Sequence, residues 1–584
     1  MVSRNYSAPY NKVSFLELGH SFDGQVKLPY STGCIWSYCQ SIQEVCHHYQ
    51  LLHWEYALDE DFNVNETAER LSESDVLGVS YFVWNTRITD LVCKKVKEFN
   101  PDCSIVYGGL SATPDLVSRP YVDHVIMYEG EKQFADFLLK RQRLFHNEKE
   151  EFGRIDVAQM PSPYLNGLFD SLPDRKWEAI IEPIRGCPYS CTFCEIGDKY
   201  YTNICRNEKV FDEIEWVSDN KIEYMHLVDN NYGMLPWHGE LTDFIIDKAK
   251  TGYPNALNIS WAKVKKPHLY EMAKKLDDAG LSKGVTIALQ SLNPDTLKAI
   301  KRTNGNVKET IDKLKEIDVQ AHVELIIGLP EESVHTFKEG IYTLLDEYDY
   351  HKYVDIYPLV ALPNTPFGTD KYIKEWNINV KSLPPVFTHH DYQKEKLLED
   401  SNDLAFAMDE DDYRELLLWR WFITSTHFLG WTRDVAREIN LTCREFYDTM
   451  YKYIDENDTV LGREKKITDK LLRSFLSGES LWGRQMGDIY FEDYQLGDAS
   501  HYGKGRVSKR IFWEYEEATA IEIQRHKGRF YAELFRFLKD EFDIEDDHTI
   551  IKQMQRMRDP EGNVYKWCKE CMWWGRRVER FYVS

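Results

Sequence analysis

Three cysteines in one short loop constrain this chain more than any other feature. The segment Arg185-Gly-Cys-Pro-Tyr-Ser-Cys-Thr-Phe-Cys places Cys187, Cys191 and Cys194 at CxxxCxxC spacing, after the apolar run 179–184. Three thiolates can hold three irons of a [4Fe–4S] cluster and leave the fourth iron open to a ligand, whereas a four-cysteine cluster mainly passes electrons. A zinc site would need a fourth protein ligand. Chance clustering is the other alternative, because the chain has 12 cysteines.

Length and composition narrow the class of protein. A chain of 584 residues predicts more than one domain. It has no 18-residue apolar run and no signal peptide at its start, so we expect a soluble, cytoplasmic protein without a membrane partner. Twelve cysteines in such a length do not indicate a disulfide scaffold. The net charge of −24 argues against broad nucleic-acid binding.

Residues 1–150 alternate strands with helices, which predicts an open parallel α/β sheet of the Rossmann-like type. The expected elements are strands at 75–83, 104–107 and 125–128 and a helix over 87–99. Gly108-Gly109 and Glu129-Gly130 follow two strand ends, where such sheets bind ligands and where missing side chains let the backbone approach a cofactor. For the paired glycines, a plain strand-to-loop turn is the alternative.

Residues 176–375 repeat a strand and a helix about six times, which predicts a partial (β/α)6 barrel with its site at the strand carboxyl ends. Three of those ends carry polar residues or glycine. They are Asp229-Asn230 at the end of the second predicted strand, Gln290-Ser291 at the end of the fourth and Gly328 at the end of the fifth. For Asp229 and Asn230, a simple turn is the alternative.

The last third, residues 405–584, reads as a mostly helical domain after a linker at about 380–405. In the linker, His389, His390 and Asp391 are metal-ligand candidates, although solvated side chains are the more common explanation. Cys568 and Cys571 form a CxxC near the terminus. We interpret them as incidental reduced thiols; a thiol donor, or a metal site completed by Cys205 or Cys443, is the alternative.

The cysteine loop, followed by these strand ends in this order, resembles the radical S-adenosylmethionine (SAM) superfamily. The segments 28–36, 81–85, 106–114 and 128–134 together resemble the cobalamin-binding domain attached to many members. The DxHxxG motif, whose histidine ligates cobalt in other cobalamin proteins, is absent, as it often is in this family. The expected fold of this domain therefore does not by itself establish cobalamin binding, which is a second expectation.

The resemblance implies three cofactors: a [4Fe–4S] cluster, SAM and cobalamin. The open iron would chelate the amino and carboxylate groups of SAM, and electron transfer would cleave the sulfonium to a 5′-deoxyadenosyl radical. The implied SAM contacts are Phe193, Asp229, Asn230, Gln290, Ser291 and Gly328, and Gln290 stands where many relatives carry glutamate. The implied cobalamin contacts are Tyr81, Trp84, Asn85, Gly108, Gly109, Glu129 and Gly130.

The function that the resemblance implies is methylation of an unactivated carbon in a small molecule or peptide, with flavodoxin or ferredoxin as reductant. No residue is assigned as the catalytic acid or base. A radical rearrangement, oxidation or cyclisation without methyl transfer is the first alternative, and a non-catalytic iron–sulfur or cobalamin-responsive regulator is the second. A methylthiotransferase needs another cysteine triplet, and Cys34, Cys39 and Cys46 are not spaced like one.

Overall fold

A computed structural model gives the structure of most of the chain. It describes residues 10–21, 24–59, 61–140, 155–196, 206–263, 266–282, 284–383, 402–479, 484–485, 512–513 and 515–557. Cys205, the linker residues His389, His390 and Asp391, and the Cys568–Cys571 pair lie outside these ranges. Within the described ranges, no helix is both long and apolar enough to span a bilayer.

The amino-terminal region is a five-stranded parallel sheet in the order β3-β1-β4-β5-β6. Its elements are β1 (Asn11–His20), β2 (Val26–Lys27), α1 (Tyr30–Gln40), α2 (Gln43–His48), β3 (Tyr49–Leu58), α3 (Val64–Leu71), β4 (Val76–Ser80), α4 (Thr86–Phe99), β5 (Ser104–Gly108), β6 (His124–Val125) and α5 (Gly130–Leu138). In a doubly wound sheet of this order, the ligand crevice lies where the order reverses, between β1 and β4.

Alternation along β1 explains why helices cover both faces of this sheet. Val13 and Phe15 pack in one apolar cluster with α1 and α5, whereas Leu16 and Leu18 pack in another with α3 and α4. The predicted parallel α/β sheet is confirmed. Two of its strands, β1 and β3, were not predicted, and β6 is shorter than the expected strand at 125–128.

The central region has six parallel strands, each followed by a helix, as predicted. Its elements are β7 (Trp177–Ile181), α6 (Lys209–Asp219), β8 (Tyr224–Tyr232), α7 (His238–Ala249), β9 (Ala256–Trp261), α8 (Pro267–Asp278), β10 (Val285–Gln290), α9 (Pro294–Ala299), α10 (Val307–Glu316), β11 (Ala321–Ile327), α11 (Val334–Tyr342), a π-helical turn (Thr343–Glu347), β12 (Val354–Pro358) and α12 (Asp370–Glu375). Backbone pairing is continuous from β7 to β9 and from β10 to β12. The Trp261 indole spans the gap by donating to the Gly284 carbonyl at 3.1 Å.

The amino-terminal chain also contributes a strand to the barrel. In β2, Val26 and Lys27 pair in parallel with Trp177 and Glu178 of β7, and the Val26 amide donates to the Lys176 carbonyl at 3.0 Å. The segment between β1 and α1 is therefore held to the barrel by backbone hydrogen bonds. The boundaries expected at 1–150 and 176–375 remain a prediction.

The carboxy-terminal region is mostly helical, as predicted. Its elements are β13 (Asn379–Leu383), β14 (Asn402–Phe406), α13 (Glu410–Ile423), a π-helical turn (Thr424–Phe428), α14 (Arg433–Glu438), α15 (Cys443–Glu456), α16 (Val460–Leu476), β15 (Arg484–Gln485), β16 (Phe512–Trp513), α17 (Tyr515–Arg525), α18 (Lys527–Phe542) and α19 (Asp547–Arg556). The linker prediction was wrong at both of its ends, because β13 and β14 pair as antiparallel strands. Arg420 of α13 connects this region to the barrel by donating to the Ile356 carbonyl of β12 at 2.8 Å. Within the carboxy-terminal region, Arg420 also pairs with Glu516 of α17 at 2.6 Å.

Candidate active site

The cysteine loop follows β7 and is held against the barrel by backbone hydrogen bonds. The Thr192 amide donates to the Ile300 carbonyl at 3.2 Å, and the Cys194 amide donates to the Cys191 carbonyl at 3.1 Å. Cys187 and Cys191 are buried, Cys194 is half-buried, and no disulfide joins them. The loop therefore presents three reduced thiols at the carboxyl end of β7.

Nitrogen donors from other parts of the barrel point at two of these sulfurs. Asn231 Nδ2 lies 3.3 Å from Cys187 Sγ, Lys263 Nζ lies 3.1 Å from Cys191 Sγ, and Arg302 reaches the same sulfur at 3.7 Å. An ammonium and a guanidinium at these distances would offset the negative charge of a metal-bound thiolate. The donor set fits a thiolate-bound cluster, whose sulfurs are commonly hydrogen-bonded.

The spread of the three sulfurs argues against a single zinc ion. Around one tetrahedral zinc, bonds of about 2.3 Å would bring sulfurs within roughly 3.8 Å of each other. In the part of the chain that the structure describes, the one set of three ligand atoms within 4.8 Å of one another belongs to His351, His427 and Cys443. The loop cysteines are thus spread more widely than zinc requires, as a cluster with several irons allows.

Asp229 leaves a carboxylate oxygen without a partner in the interior. It is 1% exposed within β8, so its reading as a turn residue is wrong. Its Oδ1 accepts from the Asn231 amide at 2.8 Å, but Oδ2 has no hydrogen-bond partner among the described residues. Burial raises the pKa of Asp229 to about 7. A cationic group on a ligand would remove this cost, because it would pair with the charged oxygen.

The nearest basic group does not neutralise that oxygen. His238 Nε2 lies 3.6 Å from Asp229 Oδ2, which is beyond hydrogen-bonding distance. The Gly233 amide donates to His238 Nδ1 at 2.9 Å, so the proton of the neutral ring sits on Nε2. Burial lowers the pKa of His238 to about 3, which leaves it uncharged at neutral pH. The pair is therefore not an ion pair, and Asp229 retains its need for a cation.

The other predicted SAM contacts lie in several different environments, and some of them already contact other parts of the chain. Gln290 is buried at a β-bulge with φ +68°, a geometry that redirects a side chain at a strand end. Ser291 donates to Glu332 at 2.5 Å, and a Cβ on Gly328 would lie 2.6 Å from the Ala405 carbonyl oxygen. Phe193 packs in an apolar cluster. Asn230 is half-buried in β8. Ser291 and Gly328 thus have internal roles in the fold, and their contact with SAM remains a prediction.

At the sheet edge of the amino-terminal region, several predicted cobalamin contacts bind other parts of the chain. Asn85 is fully buried, accepts from the Phe82 amide at 2.9 Å and donates to the Leu18 carbonyl at 3.0 Å. The Tyr81 hydroxyl donates to Asp90 at 3.0 Å. Gly109 has φ +109°, and a Cβ there would lie 2.6 Å from the Tyr81 carbonyl oxygen. The fold itself therefore requires Gly109, whatever ligand is bound. Gly130 opens α5, where a Cβ would come 3.0 Å from Ile35.

Other residues at the same edge remain available to a ligand. Trp84 is 47% exposed and stacks on Phe82 with 4.5 Å between ring centroids. Ser111 Oγ is buried without a hydrogen-bond partner among the described residues. At Gly108, the nearest atom to an added Cβ is 3.8 Å away. An exposed aromatic surface, an unpaired hydroxyl and space beside the backbone fit a large, flat, partly apolar cofactor such as cobalamin.

Two connections hold the two sheet edges against each other. Arg185 of the cysteine loop pairs with Glu129 at 3.4 Å, Glu131 at 2.9 Å and Glu182 at 2.8 Å. These side chains are largely buried, and burial raises the pKa of Glu129. Asn364, which follows β12, donates to the carbonyls of Leu110 and Ala112 at 2.6 and 2.8 Å. The sequence patterns assigned no role to Arg185, Asn364, Asn231 or Arg302.

The sequence is similar to a known family model and to several known proteins. Residues 181–341 match the family model of the radical SAM superfamily. A 2-(S-pantetheinyl)-carbapenam-3-carboxylate methyltransferase of Streptantibioticus cattleyicolor is 27% identical over 560 residues, covering 88% of this chain and 79% of that protein. The cobalamin-dependent radical SAM methyltransferase TokK of Streptomyces tokunonensis is 27% identical over 525 residues, covering 81% and 74%.

The structure of apo OxsB, a cobalamin-dependent SAM radical enzyme, aligns with a TM-score of 0.49 at 15% identity and covers 94% of this chain and 83% of that one. The family match spans the barrel from the end of β7 to α11, and the cysteine triplet lies within it. Residues 181–341 therefore form a radical SAM domain, a type of domain that requires SAM and a [4Fe–4S] cluster.

Proposed function

We propose that this enzyme is a cobalamin-dependent radical SAM methyltransferase that methylates an unactivated carbon of a small molecule. One observation carries the proposal: the strand ends of the barrel face the strand ends of the amino-terminal sheet. Arg185 and Asn364 connect these two edges. One edge holds the cysteine loop and Asp229, and the other holds Trp84 and Ser111. A substrate between them would meet both cofactors without leaving the protein. The relatives named as cobalamin-dependent or as methyltransferases support the same chemistry.

On the barrel side, Cys187, Cys191 and Cys194 would hold the cluster. When bound, the cluster supplies the electron that starts radical chemistry on SAM. Lys263 and Arg302 offset its negative charge near Cys191. Asp229 would accept the ammonium of SAM, and that ammonium would supply the cation that the buried Oδ2 lacks. The low exposure of these groups also keeps water away from the reacting atoms.

On the amino-terminal side, Trp84 and Phe82 would support one face of cobalamin, and Ser111 would hydrogen-bond its polar periphery. When bound, cobalamin supplies the methyl group. Arg185 and Asn364 fix the distance between this edge and the barrel, so they act as positioning residues. The reductant is proposed to be a flavodoxin or ferredoxin.

Anaerobic reconstitution with iron, sulfide and hydroxocobalamin tests the proposal. With dithionite as reductant and 2-(S-pantetheinyl)-carbapenam-3-carboxylate as the first probe substrate, we expect 5′-deoxyadenosine, S-adenosylhomocysteine and a product with one added methyl group. Omitting cobalamin should abolish methyl transfer. Trp84→Ala should retain less cobalamin after gel filtration than Phe99→Ala, an exposed aromatic on α4 used as the matched control.

Other outcomes separate the alternatives. If a wider panel of small molecules gives 5′-deoxyadenosine but never S-adenosylhomocysteine, the methyl-transfer proposal fails and a radical rearrangement, oxidation or cyclisation replaces it. If fully reconstituted protein cleaves no SAM, the regulator hypothesis is favoured. Cobalamin that does not co-elute with wild-type protein would contradict the role of the amino-terminal edge.

A further inference from the structure

A second cluster of metal-binding side chains lies away from the cysteine loop, at the amino end of β12. His351 precedes β12, His427 lies in the π-helical turn after α13, and Cys443 is the first residue of α15. His351 Nδ1 is 3.1 Å from His427 Nε2, and the ligand atoms of all three lie within 4.8 Å of one another. His427 is fully buried and Cys443 is 4% exposed. The loop before β12 and two helical elements of the carboxy-terminal region thus meet at this point in the interior.

The spacing and the ligand types suit zinc. Two zinc–nitrogen bonds of about 2.05 Å at a tetrahedral angle separate the nitrogens by roughly 3.3 Å, close to the observed 3.1 Å. Two imidazoles and one thiolate are a ligand set that zinc accepts, with a fourth position left for water.

The far side of each ring strengthens this assignment. His351 Nε2 lies 3.0 Å from an Asp349 carboxylate oxygen, and His427 Nδ1 lies 2.8 Å from the Tyr447 hydroxyl. Metal-bound histidines almost always have their second nitrogen held in this way, by a carboxylate, a carbonyl or another polar group. Both rings are therefore held with their remaining nitrogens facing each other, beside Cys443.

The surrounding charges are mixed. Arg433 donates to the His351 carbonyl at 3.0 Å, and Arg437 lies 3.7 Å from Asp349. These two cations oppose a bound divalent ion. Asp349 beside His351, and Asp346, which accepts from the Cys443 amide at 2.7 Å, counteract them.

A metal-free hydrogen-bond network is the competing explanation. His427 could donate from Nε2 to His351 Nδ1, while His351 donates from Nε2 to Asp349 and Tyr447 donates to His427 Nδ1. That network satisfies both rings without the Cys443 thiol, which hydrogen-bonds to Asp346 instead. A metal would engage all three side chains.

We propose that His351, His427 and Cys443 bind one zinc ion that cross-links the barrel to the carboxy-terminal helices. The three protein ligands come from the loop before β12 and from two helical elements, at the end of β12 opposite to the cysteine loop, and a water molecule would complete the tetrahedron. The site is independent of the proposed methyl transfer.

Metal analysis of the full-length, cluster-reconstituted protein tests this proposal. We expect about one equivalent of tightly held zinc beside the iron, lost in Cys443→Ser and kept in Cys103→Ser, a matched control with a buried thiol in the first sheet. The triple variant Cys187→Ser, Cys191→Ser, Cys194→Ser should lose iron but retain the zinc. Zinc lost with the triple variant and retained in Cys443→Ser would overturn the assignment, and so would wild-type protein without zinc.

Cobalt substitution keeps the test decisive if Cys443→Ser does not fold. Wild-type apoprotein titrated with Co²⁺ should develop the visible bands of a tetrahedral ion and a thiolate-to-cobalt charge-transfer band, and so should the triple cluster-cysteine variant. Absence of that band in the triple variant would overturn the proposal and leave the hydrogen-bond network as the explanation.

Discussion

The two facing sheet edges differ in how their buried polar atoms are satisfied. At the barrel edge, Asp229 Oδ2 and Asn231 Oδ1 have no hydrogen-bond partner in the described structure. At the amino-terminal edge, Asn85 and Tyr81 form their hydrogen bonds within the chain, and Ser111 Oγ is the exception among residues 108–112. An unpaired buried polar atom costs about 1–3 kcal/mol. Such atoms therefore indicate where a ligand completes a site more directly than motif similarity does.

Removal of a cluster thiolate should have the largest effect on the barrel edge. In Cys191→Ala, the cluster loses one of three protein ligands, and 5′-deoxyadenosine formation should fall below detection. Iron content and SAM cleavage measure the outcome after anaerobic reconstitution. Cys103→Ala, which removes a buried thiol from the first sheet, should retain both. Undiminished deoxyadenosine formation by Cys191→Ala would contradict the cluster assignment.

Removal of Arg185 should destabilise the junction between the two edges. Arg185→Met leaves Glu129, Glu131 and Glu182 buried without their guanidinium, and breaking such a cluster typically costs about 3–5 kcal/mol. We expect a lower Tm, because three buried carboxyl groups then face one another without a cation between them. Adding Glu131→Gln should recover part of the loss. An unchanged Tm in the single variant would show that the junction is held by other contacts.

The unpaired Asp229 carboxylate should make the ligand-free protein less stable as the pH rises. The folded pKa of about 7 exceeds the ordinary value of 3.8, so folding retains a proton that the unfolded chain loses between pH 4 and 7. Each pH unit in that window is worth about 1.4 kcal/mol. Asp229→Asn should therefore be more stable than wild type at pH 8, by up to roughly 4 kcal/mol, and similar near pH 4.

The same substitution should weaken SAM binding, because a charge-assisted hydrogen bond contributes about 1.5–3 kcal/mol, or roughly 10- to 150-fold in Kd. Thermal unfolding from pH 4 to 8 and SAM titration of the reconstituted protein measure the two effects. Asp243→Asn, which changes an exposed carboxylate on α7, should alter neither. A variant that gained no stability at pH 8, or that bound SAM normally, would remove Asp229 from the proposed site.

Alanine variants of Gly108 and Gly109 test which glycine of the amino-terminal edge the fold itself requires. Their expected effects on stability are smaller than those above. Gly109→Ala forces φ +109° on alanine and a clash with the Tyr81 carbonyl, so we expect a loss of about 1–3 kcal/mol. Gly108→Ala has room for its methyl group and should keep the wild-type Tm. If cobalamin approaches this backbone, Gly108→Ala should reduce its retention. Equal Tm values for the two variants would contradict the internal role of Gly109.

Much of the fold followed from pattern alone, because strands and helices alternate regularly through the barrel. The order and approximate position of β7 to β12 were predicted, as was the helical character of the last third. The strands β1 and β3 were not predicted. In β1, apolar residues face both sides of a buried strand, so Val13 and Phe15 stand beside Leu16 and Leu18 without a simple repeat. In β3, most side chains are only half-buried.

The candidate site was less accessible to prediction than the fold. The cysteine spacing identified the cluster ligands because they are close in sequence. Asn231, Lys263 and Arg302 contact those sulfurs from 44, 72 and 111 residues away, so only the folded barrel brings them together. Conversely, a recognisable motif did not distinguish a ligand contact from an internal one. Gly109 and Ser291 illustrate this, since both serve neighbouring parts of the chain.

The pairing of β2 with β7 has a practical consequence for anyone who would cut this protein into parts. A fragment that begins near residue 176 would lack Val26 and Lys27, and the outer side of Trp177 and Glu178 would then expose unpaired backbone groups. Unpaired edge strands of this kind form backbone hydrogen bonds with other chains and so promote aggregation. Expression of the barrel alone should therefore yield insoluble material, whereas co-expression with residues 1–150 offers the missing strand from a second polypeptide.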